Sequence, residues 1–197
     1  VKEIKTSAFA YSNVKGVWIP DSITAIGKDA FSSCVSLKSV SLGNGITELS
    51  NRLFSSCYYL ETITIPDSVT KIGSYVFYSC FNLKNVTLSQ NITEIGEGAF
   101  SECHVLTALS LPEGLISIGR SAFHSCKAMG SLEIPSSVTQ IAEYAFFGCA
   151  SLVEMTIPDT ITVISDSMFA ECSSLATVKL PADLQAIGSY AFSQTAL

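Results

Sequence analysis

The sequence is poor in charge, and the charged residues that it has are scattered. Only 14% of the 197 residues are Asp, Glu, Lys or Arg, whereas about a quarter is usual in soluble domains. The 11 Lys and Arg form no cluster, the net charge is −6 and the pI is near 4.8. Because nucleic acids and anionic membranes are bound by basic clusters, neither is predicted as a partner.

Long apolar runs and histidines are also scarce. No run approaches the roughly 18–20 apolar residues that span a bilayer, so no membrane insertion is predicted.

The two histidines are His104 and His124. A nucleophilic Cys103–His104 pair is conceivable, but no Ser or Asp recurs beside the histidines in a triad-like pattern. Variable surface positions explain both better, so we predict no enzymatic activity, no catalytic residue and no cofactor.

What the sequence has instead is a strict period of 23 residues, shared by three residue classes. A phenylalanine lies three residues before each cysteine, and an isoleucine or leucine lies five residues before each phenylalanine from Phe31 onward. Chance does not align three classes over seven or eight copies, so the chain is a repeat protein. The cysteines are Cys34, Cys57, Cys80, Cys103, Cys126, Cys149 and Cys172, and Phe192 continues the phenylalanine series.

The first half of each repeat carries a one-sided apolar stripe. Ile26, Ala30, Cys34 and Leu37 are spaced 4, 4 and 3 residues apart, with Phe31 beside them. This spacing predicts a short helix or 3₁₀ segment.

The second half of each repeat predicts a strand. Val40 and Leu42 alternate with Ser39 and Ser41, which is the period of a strand. Stacking would place eight such strands in one parallel sheet roughly 35–40 Å long. The predicted fold class is an α/β solenoid, a right-handed superhelix with a parallel concave sheet and short helical or 3₁₀ segments on the convex side. A proline ends the strand in six copies, at Pro20, Pro66, Pro112, Pro135, Pro158 and Pro181.

The complete unit resembles the BspA-like leucine-rich repeat, I-G-x-x-A-F-x-x-C-x-x-L-x-x-I-x-I-P-x-x-(I/V)-x-x-I. The resemblance covers nearly all residues, and it implies a cell-surface or secreted protein of a host-associated bacterium or a parasitic protist. Such proteins are associated with adhesion to host matrix proteins or to other microbes. In this sequence the motif reads Ile72-Gly73, Phe77, Cys80, Leu83, Val86, Leu88, Ile92 and Ile95.

Residues 1–197 are accordingly predicted to form a single solenoid domain of about eight coils. Phe9 to Val14 and Phe192 to Leu197 are each one residue shorter than Phe31 to Leu37, and both lack the cysteine. Neither end shows the polar capping unit of a solenoid. We therefore expect the chain to be a piece of a longer protein.

The cysteines allow three interpretations. Stacked coils could bring their Cα atoms about 5–6 Å apart, close enough for disulfides, although an odd number leaves at least one thiol free. Metal binding is disfavoured because no C-x-x-C pair occurs. Seven small, buried, apolar side chains are the interpretation that the pattern favours, and no metal site is predicted.

The outward side chains of the predicted concave sheet are the candidate partner-binding residues. Serine and threonine also suit strands for structural reasons. Trp18, the only tryptophan, points away from the core set Val17 and Ile19. Either it is an interface anchor or a preceding repeat covers it. The candidate residues are Trp18, Ser41, Thr64, Thr87, Ser110, Glu133, Thr156 and Lys179.

Aromatic side chains outside the core positions suggest a second surface. Tyr58 and Phe81 hold equivalent places in adjacent coils and are expected to touch, and Tyr59, Tyr75 and Tyr78 lie nearby in sequence. They form either a contact surface on the convex or lateral side or a set partly buried under neighbouring turns.

The sequence therefore predicts a scaffold for protein binding or adhesion at a cell surface, with a host-matrix or microbial surface protein as ligand. Its mechanism would be multivalent contact along an extended stack. The alternative is a structural spacer that projects another domain and has no ligand of its own. The oligomeric state stays open.

Overall fold

The computed structural model describes residues 2–197, and Val1 lies outside the described residues. The chain winds into a parallel β-solenoid of about eight turns, which confirms the repeat. Most turns contribute a three-residue strand where the sequence predicts one. These strands are β2 (Gly16–Trp18), β4 (Ser39–Ser41), β6 (Thr62–Thr64), β8 (Asn85–Thr87), β12 (Glu154–Thr156) and β14 (Thr177–Lys179).

A second series of strands, two residues long, follows the turn after each proline position. The sequence reasoning missed it, although the last apolar residue of each repeat lies in it. Its members are β1 (Glu3–Ile4), β3 (Ala25–Ile26), β5 (Glu48–Leu49), β7 (Lys71–Ile72), β9 (Glu94–Ile95), β10 (Ser117–Ile118), β11 (Gln140–Ile141), β13 (Val163–Ile164) and β15 (Ala186–Ile187).

All strand pairs in the described part of the chain are parallel, and the sequence period sets their register. The three-residue strands pair as β2-β4-β6-β8 and as β12-β14, and the two-residue strands as β5-β7-β9-β10-β11, β1-β3 and β13-β15. Gly16 pairs with Ser39, a full period later, whereas Glu3 pairs with Ala25, which comes one position short of a full period. The residue missing between Phe9 and Val14 accounts for the difference.

The prediction of helical or 3₁₀ segments is wrong, and so is the α/β class that rests on it. Residues 2–197 contain no helix. The segment after Gly27 is a series of turns whose alternate N–H groups donate to the next coil. The amides of Asp29, Phe31 and Ser33 donate to carbonyl groups of that coil at 3.1, 3.1 and 2.7 Å, while Ser32 donates to Asp29 within its own coil.

Coil spacing explains why no helix forms there. The stacked phenylalanine rings of this segment lie 5.0–5.9 Å apart, centroid to centroid, whereas an α-helix with its side chains is about 10–12 Å across. A flat run of turns fits this spacing. It requires positive φ at two positions four residues apart, such as Asp29 and Ser33, both at 56°.

One column of phenylalanine rings forms the centre of the core. Nine rings from Phe9 to Phe192 stack within 19° of parallel. The seven internal rings are fully buried. The buried cysteines and the aliphatic residues of both strand series surround them.

The predicted continuous sheet of eight strands is interrupted. Residues 108–110 and 131–133 form no ladder, although the strand series β9-β10-β11 passes through the same coils unbroken. Leu109 and Leu132 still point inward, with 6% and 7% exposure. Ala108 and Gly130 belong to residue types that are depleted in strands, which weakens pairing here.

We call the outward side of the three-residue strands and of residues 108–110 and 131–133 the strand face. That this face is concave, and that the stack is right-handed, stay predictions.

Replacing one central ring tests the phenylalanine column. Phe100→Ala should lower the free energy of unfolding by roughly 3–5 kcal/mol, because it removes a large, fully buried side chain. Urea denaturation followed by circular dichroism measures this. Tyr59→Ala, at a side chain that is 55% exposed, should change the value by less than about 0.5 kcal/mol. A loss below about 1 kcal/mol for Phe100→Ala would contradict the described core.

Candidate functional site

All eight candidate residues predicted from the sequence are exposed on the strand face. The register places Trp18, Ser41, Thr64 and Thr87 side by side on four paired strands. Thr156 and Lys179 are paired in the same way further along. Ser110 and Glu133 lie between these groups, on the segments that form no ladder. The alternation therefore identified outward positions correctly, and their role in binding stays a prediction.

The strand face offers hydrogen-bonding groups in a regular array. Beside the first four candidates runs a parallel row in which Ser39, Thr62 and Asn85 pair with one another. Neighbouring strands lie about 4.8 Å apart, so hydroxyl and amide groups repeat at that interval. Such groups donate and accept hydrogen bonds but do not titrate near neutral pH. The array is therefore suited to binding a partner through hydrogen bonds.

Trp18 is the largest side chain in the candidate set. It is 75% exposed, while Ile19 beside it is 2% exposed, which confirms the predicted alternation. Tryptophan is among the residues that dominate binding energy at protein interfaces. In the described part of the chain, most of the indole surface is therefore not covered by other residues.

Two open clefts lie where the sheet is interrupted, one on each side of residues 131–133. One has a volume of about 350 Å³ and is lined by residues 108–111 together with Glu113, Leu132, Glu133 and Pro135. The other has a volume of about 480 Å³ and is lined by residues 131–134 together with Glu154 and Thr156. The sequence reasoning did not find them, because the strand-like alternation continues through both segments.

The predicted contact between Tyr58 and Phe81 is confirmed, and His104 extends it. The three rings form a column with centroid separations of 5.0 and 5.1 Å. Tyr58 is 38% exposed, and the other two rings are half-buried. Because the ring faces cover one another along the stack, mainly ring edges meet the surroundings.

Further aromatic groups pack with charged residues on nearby coils. His124 stacks on Phe147 at 4.9 Å, and Arg120 lies 5.0 Å from the ring centroid of Tyr144. The Tyr75 hydroxyl donates to Glu97 at 2.5 Å, and this hydrogen bond raises the pKa of Tyr75. Tyr75, Tyr78 and Phe81 are thus partly buried among their neighbours, as one of the two sequence interpretations expects, whereas Tyr59 is 55% exposed.

Neither histidine activates a cysteine in this arrangement. The ring of His104 stacks on Phe81, while the thiol of the adjacent Cys103 donates to the carbonyl oxygen of Phe77 at 3.3 Å. Among residues 2–197, no group of three or more His, Cys, Asp or Glu side chains is arranged to hold a metal ion.

The interpretation of the cysteines as buried thiols is confirmed for all seven. Each thiol donates to the carbonyl oxygen of the phenylalanine one coil earlier, at 3.0–3.3 Å. Sequence reasoning missed this hydrogen bond, since it treated cysteine only as a small apolar residue. Burial raises the pKa of Cys80 and of Cys126 to about 12. A thiol in this setting is a poor nucleophile, because the thiolate is the reactive form.

Thiol reactivity tests this assignment. The native protein should release almost no colour with Ellman's reagent at pH 8, because all seven sulfur atoms are buried. In guanidinium chloride all seven should react. A Val35→Cys variant, whose side chain position is 37% exposed, should react at once in the native state and serves as the control. Rapid reaction of native thiols would contradict the described packing.

The pH dependence of stability tests the packing of His124. Its half-buried position lowers its pKa, and the charge of Glu102 opposes this effect only in part. The unfolded chain, with a pKa near 6.5, then binds more protons than the folded chain as the pH falls. The contribution of neutral His124 to the free energy of unfolding is complete above the pKa of the unfolded state. It is lost as the pH falls below that pKa.

The free energy of unfolding should therefore fall between pH 7.5 and 5.5, and His124→Phe should flatten this slope. Tyr78→Phe, at the equivalent position of another coil, is the matched control and should keep the slope. Urea denaturation at several pH values measures both. Identical slopes for His124→Phe and the unchanged protein would contradict the prediction.

Comparison with known proteins agrees with the geometry. The model of the BspA type leucine-rich-repeat region matches residues 2–108 and 93–197, in six copies. No curated protein matches the chain at a significant level. The described residues include no helix that is long and apolar enough to cross a membrane.

Several solved structures resemble the chain. A leucine-rich-repeat protein from Bacteroides ovatus is 27% identical, with a TM-score of 0.67, over 98% of this chain and 62% of that one. The leucine-rich-repeat protein of T. pallidum is 26% identical, with a TM-score of 0.75, over 94% and 77% respectively. A leucine-rich cell surface protein from Faecalibacterium prausnitzii is 27% identical, with a TM-score of 0.55, over 91% and 51%. The chain thus spans less than two thirds of the first and third of these proteins.

Proposed function

Since the chain belongs to the BspA type leucine-rich-repeat family, we propose that it is a protein-binding scaffold, displayed on a cell surface or secreted, that makes adhesive contacts. Its ligands are matrix proteins of a host or surface proteins of other microbes. The observation that carries the proposal is the exposed row of Trp18, Ser41, Thr64 and Thr87 on four paired strands.

The outward side chains of this row are not needed to hold the fold. Val40 and Ile63 point inward from β4 and β6 and are buried, while the residues on either side of them are exposed. Hydrogen-bonded neighbours on both sides fix the backbone of β4 and of β6. A rigid surface loses little conformational freedom on binding, which favours affinity.

The composition of the row also suits a protein interface. Interface centres are depleted in charge and enriched in aromatic anchors, and this row joins one tryptophan to three neutral hydroxyl side chains. The contacts repeat from coil to coil, so a long partner could bind at several coils at once. The scaffold acts by this repeated contact and performs no chemistry, since its thiols donate to carbonyl groups and its histidines stack on aromatic rings.

Display at a surface is supported by the structural relatives. The Faecalibacterium protein, 27% identical, is a leucine-rich cell surface protein. Because this chain spans about half of that protein, the resemblance supports the setting of the repeats and leaves the partner of the whole protein to experiment.

A binding panel with charge substitutions tests the proposal. The purified chain is screened by biolayer interferometry against fibronectin, laminin, collagen and fixed microbial cells. Thr64→Lys/Thr87→Lys should weaken the binding found at least tenfold, because two charges enter the neutral row. Trp18→Ala should weaken it by roughly 30-fold, as expected for an anchor worth about 2 kcal/mol.

The matched control places the same charges on another side of the stack, in neighbouring coils. Thr47 and Thr70 are exposed and precede β5 and β7, so Thr47→Lys/Thr70→Lys should leave binding within about twofold. Binding that survives both strand-face changes would remove this face from the proposal. A folded chain that binds no member of the panel would favour the structural spacer.

A further inference from the structure

The interruption of the sheet is confined to the strand face. The phenylalanine rings of the coils concerned keep their spacing, with 5.5 Å between Phe100 and Phe123 and 5.6 Å between Phe123 and Phe146. The series β9-β10-β11 is also unbroken. The solenoid is therefore intact here, and only the three-residue strands of two successive coils are unpaired.

The unpaired segments present free backbone groups beside the two clefts. Within residues 2–197, no N–H or C=O group of residues 108–111 or 131–134 has a hydrogen-bond partner in the protein. The side chains of Leu109 and Leu132 stay in the core. Backbone groups that lack a partner within the protein can form hydrogen bonds with polar groups of a ligand that enters the clefts.

The clefts are also negatively charged. Glu113, Glu133 and Glu154 line them, and no lysine or arginine does. In the described part of the chain none of these three carboxylates has a cationic nitrogen within 4.0 Å, although Glu94 and Glu143 elsewhere are paired with Lys71 and Arg120. Lys179, on the same face, pairs in register with Thr156 and forms no salt bridge with Glu154.

We propose that the two clefts bind the arginine or lysine side chains of an extended, basic segment of a partner protein. Guanidinium and ammonium groups carry donors only, so they match carboxylates and unpaired carbonyls. The side chains enter the clefts, where the free C=O groups of residues 108–111 and 131–134 lie beside the carboxylates. A single metal ion fits less well, because the acidic side chains of the described residues do not gather around one point.

This inference rests on the proposed protein-binding function and adds the chemistry of the partner and its position on the strand face. The hydroxyl groups of Ser41, Thr64 and Thr87 look alike from one coil to the next. The two clefts lie at neighbouring places beside residues 131–133, so they fix where along the stack the basic segment lies.

A peptide titration tests the charge. The probe is a blocked heptapeptide of alternating glycine and arginine, measured by isothermal titration calorimetry at low salt, and its control carries citrulline, which lacks the charge. Glu113→Gln/Glu133→Gln/Glu154→Gln should lower the affinity for the arginine peptide at least about tenfold. The citrulline peptide should bind far more weakly.

A matched variant separates the clefts from general attraction to an acidic chain. Glu48→Gln/Glu61→Gln/Glu171→Gln removes the same charge from exposed positions that do not line either cleft, and it should change the affinity by less than twofold. Equal losses for the two triple variants would overturn the inference.

The geometry is tested without any change of charge. Ala108→Thr/Gly130→Thr introduces strand-favouring residues, and a side chain on Gly130 has room, since its nearest contact is the Ser151 carbonyl oxygen at 4.0 Å. Restored pairing should slow amide hydrogen exchange at Leu109 and Leu132 and weaken binding of the arginine peptide. Unchanged peptide binding after such slowing would overturn the inference.

Hydrogen exchange of the unchanged protein gives an independent result. The amides of residues 108–111 and 131–134 should exchange much faster than those of β4 and β6. Equal protection would show a continuous sheet and overturn the inference, while the Trp18 row and the protein-binding function would stand.

Discussion

The distance from one coil to the next constrains every other feature of this molecule. Parallel ladders and the phenylalanine column hold successive coils 5–6 Å apart, and each group in the chain must find its partners at that distance. The cysteine thiols illustrate the consequence. Each donates to the carbonyl of the phenylalanine one coil earlier, so a polar group is satisfied in the core without opening the stack.

The same distance explains the unusual backbone of the turn segments. Among residues 2–197, sixteen residues other than glycine have positive φ, a conformation that costs roughly 1–3 kcal/mol at a non-glycine position. The hydrogen bonds between coils compensate, because this backbone directs alternate N–H groups at the next coil. A helix would satisfy these groups internally and leave the neighbouring coil unpaired, besides being too wide.

Side-chain periodicity correctly predicted the features that depend on which residues are buried. It identified the coils, the phenylalanine core, the register and the outward set from Trp18 to Lys179. It failed where the outcome depends on pairing between coils. The 4-4-3 spacing of Ile26, Ala30, Cys34 and Leu37 is shared by a helix and by a run of turns, and only the coil spacing, which a single repeat does not encode, decides between them. Likewise, Leu109 and Leu132 alternate correctly, so the loss of their ladder leaves no trace in the hydrophobic pattern.

This division bears on where recognition can be encoded. The repeat sets which residue types occupy the buried positions, but it sets only where the outward positions lie. The residue types of the outer row can therefore vary without destabilising the core. Regularity alone, however, makes neighbouring coils equivalent to a ligand. A departure from local consistency is where function is most often found, and the strand face departs from it at residues 108–110 and 131–133. Beside these residues, unpaired backbone groups and three carboxylates without a cationic partner line the same two clefts. The regular coils supply the rigid surface, and the irregular ones distinguish one place on it from the next.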